Sequence, residues 1–566
     1  MYLDDDPDTF PKRPPETFRP YQGQELEEVI RITVVVRCRA TDQEREASIA
    51  KTTAPNLNDR QYLSHEEFEK RFGADPAALE TVSAFARSQG LVVVEVSVAG
   101  RSVVLEGTLA AFSHVFGIEF GLRQRGSRSY RSYQGEVNIP DQLAGIVKGI
   151  FGFDNRAVAQ DHLCFVNSCG APIANPLVFA RNRYNFPNLD GQGECIGIIR
   201  LAGGYNDTLA VPDVNGYFGA IGLPRPNITP VPLGGDPDEN GGNGTNSPAA
   251  AADILRFFTN LDRAIRVGVE GSPYTGDPRR DRQVQGTIET TLDIQLVGSL
   301  ANRAQIVVYF APNSEAGILS AFRAALTDTQ NNPSVILCCW GWPDTAEGNL
   351  YKMTGLEPLL ADAGLLRKTI CFSSGDRDEV HQPATSASVL ACGGTMFDSR
   401  GVEKAWSEAV FRRIRIESGG GFSEFVPQPT WQAFLGIVNN NGIETNRGVP
   451  DVAAKADLNQ AYSIRVGGSD YPAGGGTSAA APLWASLIAL CNQERRRLGR
   501  NLVGHLTPTL YQVLFNPNPT LLSLLGGVQP LKDITQGTRA GRGWDTSTGL
   551  GSPNGQALVT ALRNLP

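Results

Sequence analysis

The chain has 566 residues, 41% of them hydrophobic and 19% charged, which is enough for two or more packed cores and too apolar for a disordered protein. A net charge of -8 argues against nucleic acid as a partner. The longest apolar run, Ala479 to Cys491, is too short to cross a bilayer, and the N-terminus MYLDDDPDTFPKRPPETF lacks the basic and apolar parts of a standard export signal.

Residues 1–25, acidic and Pro-rich, read as a disordered tail. From 26 to 158 the pattern is α+β, of ferredoxin-like order. Val29 to Arg37 has strand composition, Ser64 caps a helix His65–Phe72 with Glu67 at the capping-box position, and Asp75 starts a second helix. Strands at Leu91–Val98 and Ser102–Gly107, a helix at Leu109–Phe116 and a strand near Ile118–Leu122 follow. Residues 159–185 read as a surface connector. From 186 to 566 strands and helices alternate, with strands at Cys195–Leu201, Ile306–Ala311, Val335–Trp340, Thr369–Phe372 and Val389–Ala391. Helices are expected at Thr208–Gly219, Ala250–Phe258, Val284–Leu300, Ala316–Thr327 and Leu350–Ala363, with residues 223–250 as a loop. Such alternation predicts an α/β domain with a parallel sheet covered on both faces. The nine cysteines include no C-x-x-C pair, so zinc is not expected; Cys164 and Cys169 are near enough in sequence to pair.

The stretch Gly474-Gly475-Gly476-Thr477-Ser478 before an apolar helix is the strongest chemical signal. Glycines permit a sharp turn, and a serine at a helix N-terminus is a candidate nucleophile. Pro482 is expected in the first helical turn. A serine needs a base, and the chain has only five histidines. Two are in the N-terminal unit, His162 is in the connector, His505 is in a loop, and His381 has nothing around it that supports the role. The Val284–Leu300 helix offers carboxylates instead. Glu289 and Asp293 stand four residues apart beside the stripe Val284, Ile288, Leu292 and Leu296, so their charges repel and push the two pKa values apart, leaving one protonated and one free to act as base. The same spacing also suits an ordinary solvated pair. Asp376, at the carboxyl end of the Thr369–Phe372 strand, stands where a protonated acid donates to an oxyanion, or where a turn aspartate sits.

These residues resemble the sedolisins, serine-carboxyl peptidases of subtilisin-like fold, and among them the kumamolisin branch with its N-terminal prodomain. The similarity is carried by RITVVVRCRA, YLSHEEFEKRFG and SYRSYQGEVNIP in the first part. In the second it is carried by LDGQGECIGIIRLAGGY, VVYFAPN, VLACGGT, RGVPDVAAKAD, GGTSAAAP and GWDTSTGLGSP. The resemblance implies Ser478 as nucleophile, Glu289 as general base, Asp293 as its supporting carboxyl and Asp376 as oxyanion donor. It implies an acid-acting endopeptidase made as a zymogen, cut by itself at low pH between about 160 and 185. It also implies one structural Ca2+ held by Asp533, the Ile534, Gly541 and Gly543 carbonyls and Asp545. Polypeptide substrates, the prodomain as inhibitor and chaperone, a monomeric state and an extracellular location follow in the same way. The chain departs from the family at Arg200, where a glutamate is expected, at Cys338 and Cys339, expected as serines, and in the loop 377–383, so cleavage preference does not carry over. Two alternatives stay open. One is a sedolisin-fold peptide-binding protein with weak or no activity, and the other is a subtilisin using His381.

Overall fold

The computed structural model describes residues 16–565 apart from 126–127, 163–171, 209, 235–243, 268–276, 411–413, 434 and 440–441. Cys164 and Cys169 lie outside the described residues. In the N-terminal unit, Val29–Val36 buries Ile30, Ile32, Val34 and Val36 and turns alternate residues outward, as a half-buried strand requires. It lies between Ser102–Thr108 and Val147–Phe151, and Val92–Ser97 pairs on the outer side of Ser102–Thr108; all neighbours are antiparallel. That is the ferredoxin-like order. His65–Phe72 carries the expected capping box, with Glu67 N–H donating to Ser64 Oγ and Ser64 N–H to the Glu67 carboxylate. A further helix, Asp42–Ala50, is capped in the same way by Thr41 and Glu44.

Part of the stretch expected to be a disordered tail is a strand. Thr17–Pro20 pairs with Glu119–Arg125, which pairs with Arg128–Gln134, because Thr17 to Pro20 provides strand backbone that closes the open edge of this hairpin.

The second unit is built on a parallel sheet in the order 228–232, 305–310, 195–200, 335–338, 369–373, 390–397, with 452–455 added in parallel to 390–397. Glu403–Ala405 joins 390–397 antiparallel. Ile228–Pro232 lies within the expected loop 223–250; its prolines confine it to the sheet edge. One face carries Pro278–Leu300 (the acid helix) and Thr477–Arg497 (the serine helix), which pack together and on the sheet through Ile294, Val297, Trp484 and Leu487. The other carries Glu315–Thr327 and Ala346–Leu365. Helix Pro176–Tyr184, ahead of the expected start at 186, belongs to this unit too: Ala180 and Tyr184 are buried in its core.

The N-terminal unit docks on the Glu315–Thr327 and Ala346–Leu365 helices. Buried Asp362 takes Arg45 at 2.8 Å and Arg101 at 2.6 Å. Arg323 Nε donates to the Gly100 carbonyl, and Arg60 donates to the carbonyls of Val503 and His505 and to Thr509 Oγ1. Phe68 and Phe72 complete the apolar core of that face.

The described start of the connector, residues 159–162, does not run over the surface. Gln160–Asp161 forms an antiparallel strand on Trp340–Pro343, which pairs on its other side with His381–Gln382. Its backbone groups are thereby paired inside the cleft, the condition for burying an unpatterned segment.

Candidate active site

Three parallel strands end together. Cys195–Arg200 stops at Arg200, Val335–Cys338 runs into Cys339 and Trp340, and Thr369–Ser373 leads through Ser374 and Gly375 to Asp376. Ligand sites in such sheets lie outside these carboxyl ends. Ser478 is the second residue of the serine helix, as expected, and is fully buried. Pro482 is the sixth residue rather than one of the first turn, so its missing N–H leaves the Ser478 carbonyl without its helical donor. The Cys339 thiol lies 3.9 Å from that carbonyl and 3.5 Å from Asp293 Oδ1.

Glu289 and Asp293 are fully buried on the acid helix, which starts at Pro278 under an Asp277 cap, earlier than the stripe suggested. Gly286 lets this helix meet the carboxyl end of the 195–200 strand: a Cβ there would stand 2.5 Å from the Ala202 carbonyl carbon. The pair is not solvated. Arg200, itself fully buried, lies 3.1 Å from Asp293 Oδ2 and 3.8 Å from Glu289 Oε1, donates to the Gly286 carbonyl, and stacks over Trp340. Burial pushes both carboxyls above their ordinary range, Glu289 further because Asp293 stands beside it, while Arg200 pulls both down. The Ser478 hydroxyl is near enough to Glu289 to lower it slightly, yet neither Ser478 Oγ nor either Glu289 oxygen makes a hydrogen bond among the described residues.

Asp376 Oδ1 accepts from the Thr477 N–H and hydroxyl, both at 2.7 Å. Gly476, at φ +76°, lies beneath: a Cβ there would stand 2.4 Å from Asp376 Oδ2 and 2.5 Å from the His162 carbonyl oxygen. The His162 carbonyl also accepts from Ser478 N–H at 3.4 Å. One peptide carbonyl of the connector therefore lies at the serine's own N–H and on the same face of Gly476 as an aspartate. Upstream, the Ala159 carbonyl accepts from Asn313 Nδ2 at 2.7 Å and Arg282 Nη1 at 3.1 Å, and Asn313 Oδ1 accepts from Ala159 N–H. The structure thus brings Ser478, Glu289, Asp293 and Asp376 to one place. His381 bonds His162 and Glu379 rather than Ser478. His162, Asn313 and Arg282 were not legible as site residues: they meet through the backbone carbonyls of His162 and Ala159, and a backbone carbonyl has no sequence signal.

The family described as "Pro-kumamolisin, activation domain" matches residues 24–156. The chain is 33% identical over 560 residues to kumamolisin of Bacillus sp. (strain MN-32), covering 94% of this chain and 91% of that one. It belongs to the kumamolisin-like sedolisins. It is 23% identical to sedolisin of Pseudomonas sp. (strain 101), over 95% of this chain and 88% of the relative. The solved Pseudomonas sedolisin, a serine-carboxyl proteinase, superposes with a TM-score of 0.51 at 22% identity, over 69% of this chain and 97% of that one, which bears on the fold. The chain is thus a serine-type peptidase carrying an activation domain, on a subtilisin-like α/β fold.

In this sedolisin the C-terminal loop gathers the expected metal donors. Asp533 accepts from Gly543 N–H, and Asp545, buried, accepts from Gly541 N–H, so one short loop ties both carboxylates. Among the described residues, no hydrogen bond reaches the carbonyls of Ile534, Gly541 or Gly543. Two carboxylates and three uncommitted carbonyls suit a hard cation. The other acidic cluster, Glu289, Asp293 and Cys339, already faces the Arg200 cation.

Proposed function

We propose that this sedolisin is an acid-acting endopeptidase whose first substrate is its own connector, cut after His162. The observation that carries this is the His162 carbonyl held at Ser478 N–H while residues 160–161 pair as an antiparallel strand, the way an extended peptide adds to a sheet edge. Ser478 Oγ attacks the His162 carbonyl carbon and Glu289 takes the hydroxyl proton. The developing oxyanion receives hydrogen bonds from Ser478 N–H and from Asp376 in its protonated form. Glu289 then passes the proton to the leaving amine, and water repeats the sequence on the acyl-serine. Asp293, bonded to Arg200, supports Glu289 through its charge. Asp376 donates only while it keeps its proton, and Arg200 offsets part of the rise that burial and Asp293 impose on Glu289, which extends its use as a base to lower pH; together these place activity on the acid side. Such a range suits an acidic place outside the cytoplasm. The 26–158 unit acts as inhibitor, and Asp533, Asp545 and the carbonyls of 534, 541 and 543 hold one Ca2+ that ties the C-terminal loop.

Incubation at pH 4 separates wild type from Ser478→Ala. Wild type should give a new N-terminus at Leu163, with later trimming allowed, and the variant should stay whole. Equal cutting of both, or cutting elsewhere first, would overturn the assignment. A second reading, a peptide-holding protein with little turnover, draws on the lack of a Ser478–Glu289 hydrogen bond. It predicts an uncut wild-type zymogen in the same experiment.

A further inference from the structure

The side chain of His162 enters a closed polar row. Its Nδ1 lies 2.7 Å from Ser373 Oγ, and its Nε2 lies 2.7 Å from His381 Nδ1. His381 Nε2 in turn lies 2.8 Å from Glu379 Oε1. Ser373, His162 and His381 are all nearly inaccessible to solvent. The His162 ring packs against Gly341, where a Cβ would stand 2.7 Å from its Cε1, and at 4.7 Å and 56° to the His381 ring. Burial pushes Glu379 up, but the hydrogen bond with His381, the charge of His381 and that of Arg377 together outweigh it and leave the carboxyl below its ordinary range. Glu379 Oε1 accepts a hydrogen bond from His381 Nε2–H and fixes the ring. Either His381 Nδ1 or the group facing it then carries the proton between them, so the pocket serves a donor or an acceptor.

We propose that His381, oriented by Glu379, forms with Ser373 and Gly341 the pocket for the residue before the cut bond, and that it selects side chains with a hydrogen-bonding edge, imidazole or carboxamide, over aliphatic ones. The proposal rests on the reading of His162 as the residue cut in the connector. An aliphatic side chain of the same size leaves His381 Nδ1 and Ser373 Oγ buried without a partner. A site built on hydrogen bonds discriminates strongly against an analogue that lacks them. His381 is a specificity-determining residue and Glu379 a positioning residue; neither takes part in the bond-breaking step.

Two arms test this. In the first, the processed enzyme is given peptides differing only in the residue before the cut, Gln, His or Leu. The kcat/KM for Gln should exceed that for Leu by about tenfold or more. His381→Leu should erase or invert this ratio, and Glu379→Gln should shrink it. In the second, Ser478→Ala zymogen carries His162→Gln or His162→Leu, and amide exchange of Gln160 to His162 is followed. The Gln form should exchange like the parent and the Leu form about ten times faster. This arm involves no bond cleavage, so a wrong assignment of the nucleophile leaves it intact. Equal cutting of Gln and Leu peptides by the parent, or equal protection of the Leu connector, would overturn the proposal.

Discussion

Two buried carboxyls facing one guanidinium hold about one negative charge comfortably, so the count of protons on Glu289 and Asp293 depends on Arg200. Arg200 is the nearest cation to both and lowers both pKa values. Its removal raises them further, and Glu289 then becomes protonated, and useless as a base, at higher pH. Arg200→Met should therefore move the acid limb of the kcat/KM profile to higher pH, with about tenfold less activity per unit of displacement on that limb. A limb that stays put or moves down sinks the proposed role. Gly476 makes a second claim at this scale. Its φ of +76° and the two oxygens packed on it leave no place for a methyl group. Gly476→Ala should lower kcat by about 10²–10³, the usual loss for a damaged oxyanion site, with a smaller effect on KM. At this scale much was legible. The i, i+4 acids beside an apolar stripe and the serine after three glycines pointed to their partners. The identity of Arg200 was visible, but its ion pair with Asp293 spans 93 residues and depends on how the carboxyl end of the 195–200 strand meets the acid helix.

Elements were read well where period and caps agree. Ser64 with Glu67, and Asp75 before Pro76, marked helix starts that the structure keeps to the residue. They were misread where pairing rather than local preference decides. Thr17–Pro20, Ile228–Pro232 and Gln160–Asp161 are strands because neighbouring backbone needs partners. The C-terminal loop belongs to this scale as well. With Ca2+ bound, its carbonyls and two carboxylates cross-link residues 533 to 545, and binding to the folded state alone adds about 2.7 kcal/mol at a hundredfold excess over Kd. Chelation of the processed enzyme should lower its Tm, and Asp533→Ala should abolish that response. A Tm unmoved by chelator argues that the loop is tied by its own hydrogen bonds to Asp533 and Asp545, from Gly541, Gly543, Ser547 and Thr548, without an ion.

Across the whole molecule, the N-terminal unit is held by charge as much as by apolar contact. Asp362 stands almost fully buried between Arg45 and Arg101, and Arg101 is nearly as buried. Asp362→Ala leaves Arg101 buried without its partner, a change that costs about 3–5 kcal/mol in comparable settings. The variant zymogen should convert faster than wild type at any given acid pH; slower conversion would count against an inhibitory dock. The division into an α+β unit and a parallel-sheet unit was legible from alternation alone. The docking face was not, because Arg45, Arg101 and Asp362 are distant in sequence and unremarkable singly.

The connector strand between residues 340–343 and Ser478 has one further consequence. Each chain presents its own bond to its own serine, so the first cut needs no collision between molecules. On the proposed cut, conversion should run at a rate independent of protein concentration, without the lag of a process seeded by traces of finished enzyme. A dilute population should then mature on the same clock as a crowded one.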